Sequence, residues 1–156
     1  MSDATQSTPA KAPWHLWAIG IVGLLWNAIG ATDYTMTQTH NEAYLSAVSP
    51  QQLEFIYGVP AWAVAAWAIG VWGGVVGMLL LLLRKRAAVP VLLASLAGAA
   101  LIFVHNFVLS EGMEVMGSSG AAFAGMIVAI AAGLYWYART MRRKGVLGSA
   151  PNRRPA

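Results

Sequence analysis

The residues able to do chemistry in this chain are few and fall in two places. Asn27, Asp33 and His40 lie along "WNAIGATDYTMTQTH", from Trp26 to His40, and His105 and Asn106 sit in "FVHNFVLS", with Glu111 and Glu114 shortly after. On a helix Asp33 shares a stripe with Gly23, Trp26, Gly30, Thr37 and His40, spaced three and four residues apart. His105 follows Ser95, Gly98 and Ile102 on a stripe of its own. A carboxylate beside an imidazole is a pair for cation binding or proton carriage. With Glu111, Glu114 or His40 added, an oxygen–nitrogen metal site is conceivable, but the spacing carries no metal motif and a structural hydrogen bond is the simpler reading. No metal and no cofactor is therefore assigned. Asn27 shares a face with Gly20, Gly23, Gly30 and Tyr34, which points it into a protein interior. There an interhelical hydrogen bond, contributing about 1 kcal/mol, is expected of it ahead of a solute contact.

Other chemistries are excluded. The chain has no cysteine, so disulfides, thiolate metal sites, iron–sulfur clusters and thiol redox catalysis are absent. No G-x-S-x-G, H-E-x-x-H or phosphate-loop motif occurs. His15, His40 and His105 lie too far apart in the expected topology for bis-histidine haem ligation. No catalytic residue emerges, and the chain does not read as an enzyme.

The frame that must position these groups is a membrane bundle. Of 156 residues, 58% are hydrophobic and only 10% charged, with a mean hydropathy of +0.58. A soluble domain carries about 25% charged residues, so this chain cannot clothe a water-facing surface. Four apolar runs stand out, at about 14–34, 60–83, 87–109 and 120–137. At ~1.5 Å per residue they reach about 27 to 36 Å, enough to cross a hydrocarbon core of about 30 Å. Helices are the economical solution, because lipid cannot satisfy backbone polar groups. With four spans, Lys11, the turn Arg84-Lys85-Arg86 and every basic residue from Arg139 onward share one side. Five of the six acids lie on or near the other. The positive-inside rule places both termini in the cytoplasm, and the net charge of +4 becomes a topology signal rather than a sign of nucleic-acid binding. A cleaved secretory signal is the rival reading of the first run, disfavoured by Asp3 and by the length of the run.

Residues 1–13 read as a disordered cytoplasmic tail and 139–156 as a basic cytoplasmic tail, around a membrane domain of 14–138. In the long outer loop, Met36, His40, Ala43, Tyr44 and Ala47 keep helical spacing, so the first helix is expected to continue past the lipid. "SPQQ" then predicts a short helix with Ser49 as N-cap, Pro50 at the first position and Gln52 completing a capping box. Small residues permit close helix approach in lipid. Gly70, Gly73, Gly74 and Gly77 mark the second span, Gly23 and Gly30 the first, Gly98 the third, and Gly125, Ala129 and Gly133 the fourth. Packing of the four helices on one another explains these stripes; homo-oligomerisation, or docking on a larger membrane complex, is the functional variant.

"LWNAIGATDYTMTQTHNEAYL", "YGVPAWAVAAWAIGVWGGVVG" and "HNF" together resemble a largely uncharacterised group of short bacterial membrane proteins. The likeness covers nearly the whole chain apart from its tails. It implies a four-span, all-α protein of the bacterial inner membrane, with no catalytic residue to carry over; some members bear a loose sugar-transporter label. The expectation is a transporter-like protein for a small solute or ion, lined by Asp33, Asn27, His105 and Asn106 and working as an oligomer. The alternative is an accessory, assembly or stress-related subunit that binds partners through its glycine faces.

Overall fold

The computed structural model describes residues 11–148, and the ends of both predicted tails lie outside them. Among the described residues every regular element is helical. Pro13, extended at φ −69° and ψ 149°, starts α1 (Trp14–Gln38). α1 does not run on through Ala47 as its periodicity suggests. His40 takes a left-handed conformation (φ 52°), its N–H bonds Thr37 O at 3.1 Å, and Asn41 N–H bonds Met36 O at 3.0 Å. That pattern is a Schellman close, built here on a histidine, and it ends the helix. Asn41 then caps a single turn, α2 (Glu42–Leu45), accepting from Tyr44 N–H at 2.9 Å. The predicted capping box of Ser49 and Gln52 starts α3 (Pro50–Tyr57).

Pro60 opens α4 (Ala61–Leu82), which turns through residues 83–87 into α5 (Ala88–Val104). Arg84 (φ 56°) repeats the Schellman close, with Lys85 N–H on Leu80 O at 2.8 Å. α5 runs into one π-helical stretch, His105–Leu109, before α6 (Gly112–Arg143). The fourth helix is thus much longer than the run at 120–137. It recruits the polar Gly112–Ser119 stretch and breaks its helical geometry only at Gly117, whose φ of 69° favours glycine. It also absorbs the start of the predicted basic tail, ending in a third Schellman close at Gly145 (φ 71°). Val146 and Leu147 are then buried against the core, held by Arg84 Nε–H to Val146 O (3.1 Å) and Gly148 N–H to Arg84 O (2.8 Å).

Facing residues establish an up-and-down bundle. Going up α1, Gly20, Gly23, Asn27 and Gly30 meet Leu82, Met78, Gly74 and Val71 going down α4. Gly70, Gly73 and Gly77 likewise meet Ala99, Ser95 and Leu92 of α5. The α4–α5 seam is the tightest: a Cβ on Gly98 would overlap the Ala66 carbonyl oxygen and stand 2.7 Å from Gly70 N. α6 lies on α5, with Gly125 facing Phe103, and meets α1 at Gly23–Leu134 and through a 2.6 Å hydrogen bond between His15 Nδ1 and the Tyr137 hydroxyl. α1 and α5 are therefore diagonal, as are α4 and α6. We call the end holding residues 11 and 148 the terminal end, and the other the loop end.

Four of these helices are long and apolar enough to cross a membrane, and α6 buries nothing within its most apolar 18-residue stretch. Trp14, Val22, Ile29, Leu109 and Trp136 all expose more than half of their surface. Such faces suit lipid and would be unstable in water.

Candidate functional site

The terminal half of the bundle is filled. Leu16, Met78, Leu81, Met141 and Leu147 are buried essentially completely, with Ala88, Val89 and Leu92 around them. Above that plug lies a cavity of about 410 Å³ between α1, α4, α5 and α6. Small residues make room for it: Gly30, Ala99, Ala124 and Ala131 are among its lining. Phe123, Ile127 and Ile130 of α6 form one wall, and Trp26, Trp67 and Phe103 form others. Exposed Ile29 and Phe123 stand at its edge.

The structure divides the predicted polar cluster. Asn27, Asp33 and Asn106 line the cavity; His105, His40 and Glu111 do not. Asp33 Oδ1 accepts a hydrogen bond from the Tyr44 hydroxyl at 2.6 Å. This bond ties the α2 turn over the loop end of the cavity. It also raises the Tyr44 pKa above its ordinary value, first because the neutral phenol donates to Asp33, then through desolvation and the Asp33 charge.

Asp33 and His105 do not meet. They sit on the diagonal pair α1 and α5, and no hydrogen bond or ion pair joins them. His105 instead turns toward α4, with its ring edge-on to Trp62 at 5.3 Å. Its Nδ1 donates to Asn106 Oδ1 at 3.0 Å, an oxygen that can only accept. The π turn sets this orientation. Widening the helix at His105–Leu109 frees carbonyls that the Ser110 hydroxyl collects, from His105 at 2.7 Å and Asn106 at 3.1 Å.

Asn27 is also corrected. Its amide nitrogen donates within α1, to Gly23 O at 2.7 Å, rather than to another helix. Its Oδ1 rests against Gly74, where any Cβ would overlap it, so Gly74 makes the space that keeps Asn27 inside. His40 stacks on Tyr57 at 4.4 Å, outside the cavity, while the Tyr57 hydroxyl holds Thr37 O at 3.0 Å. Glu111 is exposed at the start of α6. Among the described residues no three metal-ligating side chains converge.

Sequence reading did not single out Ser95, Tyr44 or Trp67 as site residues. Ser95 is buried and donates to Gly70 O across the α4–α5 seam at 2.5 Å. Its position on the stripe with Gly98 and His105 was the available signal. Trp67 is held edge-on by Tyr34 at 5.0 Å. Nothing local in the sequence marks either Trp67 or Tyr44, because the fold alone brings them to the cavity.

Together the fold and site define an all-helical bundle with four helices able to span a membrane and a polar-rimmed cavity within it. Comparison with family models, with curated proteins and with solved structures finds no match.

Proposed function

We propose that this chain is a multi-pass protein of the bacterial inner membrane, with both termini cytoplasmic, that binds a small solute inside its bundle as a transporter-like protein. The observation that carries this reading is the cavity itself. It lies within the size range of small-molecule sites, is mostly apolar, and has a few convergent polar groups at one end. The plug of buried side chains beneath it fills the terminal half. Passage to the other side requires the α6 wall to move or a second copy to complete the path. α6 suits such movement, being broken at Gly117 and little buried.

The test is mild extraction of the full chain followed by native mass spectrometry of bound small molecules. Ala131→Phe fills the cavity from α6. Wild type should carry a small molecule that this variant lacks, while both keep the same helical circular dichroism. Identical small-molecule content in the two would refute the reading.

One observation favours the accessory-subunit alternative. A Cβ on Gly133 would touch nothing, and Ala129 is exposed beside it, so a small-residue face of α6 is unoccupied within the chain. The glycines of α4, by contrast, are already used against α1 and α5. If Gly133→Ile abolishes recovery of a partner protein in the same extraction while Ala131→Phe changes nothing, the alternative replaces the solute reading.

A further inference from the structure

We propose that the cavity selects a monovalent organic cation carried on an apolar body, with Asp33 holding the charged head; this rests on the solute-binding reading above. Charge is the first ground. Asp33 and Tyr44 are the ionisable residues lining the cavity, and no Lys, Arg or His among the described residues joins them. The Asp33 carboxylate receives the Tyr44 hydroxyl and has no cationic partner among the described residues. Asp33 lies near the loop end of a membrane-spanning helix beside half-exposed Tyr44, where a bound cation compensates its charge. One carboxylate with two asparagines is too sparse a ligand set for calcium or magnesium, which take six or more oxygens.

The walls are the second ground. Trp26, Trp67, Phe103, Phe107, Phe123 and Tyr44 surround the space with aromatic rings. Ring faces attract cations such as alkylammonium groups, most strongly where water is excluded. Trp67 is braced by Tyr34 at 5.0 Å and Phe103 by Phe107 at 5.4 Å, so these walls are positioned in advance.

Hydrogen-bonding capacity is the third. The deep polar donors are partly committed, Ser95 to Gly70 O and one of the two Asn27 N–H groups to Gly23 O. A sugar, with a hydroxyl on nearly every carbon, would meet few open partners here and would leave its own groups unpaired. Below Asp33 the lining of Ile127, Ile130 and Leu134 suits hydrocarbon instead.

Three probes of similar size separate these terms: phenyltrimethylammonium, its uncharged isostere tert-butylbenzene, and the anion benzenesulfonate. Binding is measured by equilibrium dialysis against the full chain in lipid nanodiscs, with protein-free nanodiscs subtracted. Phenyltrimethylammonium should saturate and bind about tenfold or more tighter than the isostere, with benzenesulfonate showing no saturable binding. Asp33→Asn should abolish that preference and Asp33→Glu retain it. Equal binding of cation and isostere, tighter binding of the sulfonate, or an unaltered preference in Asp33→Asn would overturn the proposal. The wild-type ratio of cation to isostere decides by itself should Asp33→Asn not fold. Saturable binding of the isostere alone, lost in Ala131→Phe, would leave a solute cavity with the wrong ligand class. Absence of any saturable binding sensitive to Ala131→Phe would remove both readings.

Discussion

The two halves of the bundle use the same four helices yet solve packing in opposite ways. In the terminal half small faces large: Gly20 receives Leu82, and Gly23 receives Met78 and Leu134, so every gap is filled. In the loop half small residues, Gly30, Ala99, Ala124 and Ala131, line a space of about 410 Å³ that no large side chain fills. Hydrophobic content does not distinguish the two, since both are apolar. Side-chain volume at facing positions does. Lipid supplies little hydrophobic drive between helices, so contact depends on how closely surfaces fit. A half that leaves space forgoes that contact, which suits a region that must admit something else.

This contrast can be broken at three levels. The largest effect belongs to the seam common to both halves. Gly98→Leu would force a side chain into the Ala66 carbonyl, and a loss of about 3 kcal/mol or more is expected, read as failure to recover monodisperse protein. Gly133→Leu, placed where nothing stands within 4 Å, should be recovered normally. Equal recovery of the two would mean that α4 and α5 do not pack as described. Next, the halves should answer truncation differently. Met78→Ala in the plug should cost about 2–5 kcal/mol, whereas Ile127→Ala on the cavity wall should cost less than about 1 kcal/mol. Thermal unfolding in lipid nanodiscs measures both, and comparable losses would show that the cavity is packed in solution.

Much of this was legible in the sequence, and what was not has a common cause. The four spans follow from run length and composition, since a long uninterrupted apolar run satisfies its own backbone in lipid as a helix. The capping box at Ser49 is local chemistry and was readable as such. The end of α1 was not, because Met36, Ala43 and Tyr44 keep helical spacing across a break made by a histidine rather than a glycine. The candidate site shows the same division. Asp33 and Asn106, on different spans, both line one cavity. Depth does not fix which helices are neighbours, however. Pairing α4 with both α1 and α5 puts Asp33 and His105 on a diagonal, and the π turn aims His105 at Trp62. Glycine spacing alone also could not tell the occupied stripe of α4 from the vacant one at Gly133.

The smallest expected effect concerns the tie across the loop half, and pH isolates it. The Tyr44 pKa is raised above its ordinary 10.0 in the folded protein, chiefly by the hydrogen bond to Asp33. A raised pKa means that folding favours the neutral phenol. Its contribution to stability is therefore complete below pH 10 and lost as pH rises through the folded value. Tyr44 is 44% exposed, so solvent screening keeps the contribution small. The difference in unfolding temperature between wild type and Tyr44→Phe should be constant from about pH 7 to 9 and shrink as pH rises through 10 and beyond, the other tyrosines cancelling in the subtraction. Met78→Ala, which touches only the plug, should show no such change in its difference from wild type. Adding Asp33→Asn should flatten the Tyr44 curve, because the carboxylate is the source of the shift. A Tyr44→Phe difference that stays level across pH 10 would mean that the α2 turn is not tied to α1, and that the loop half is open at its end as well as at its side.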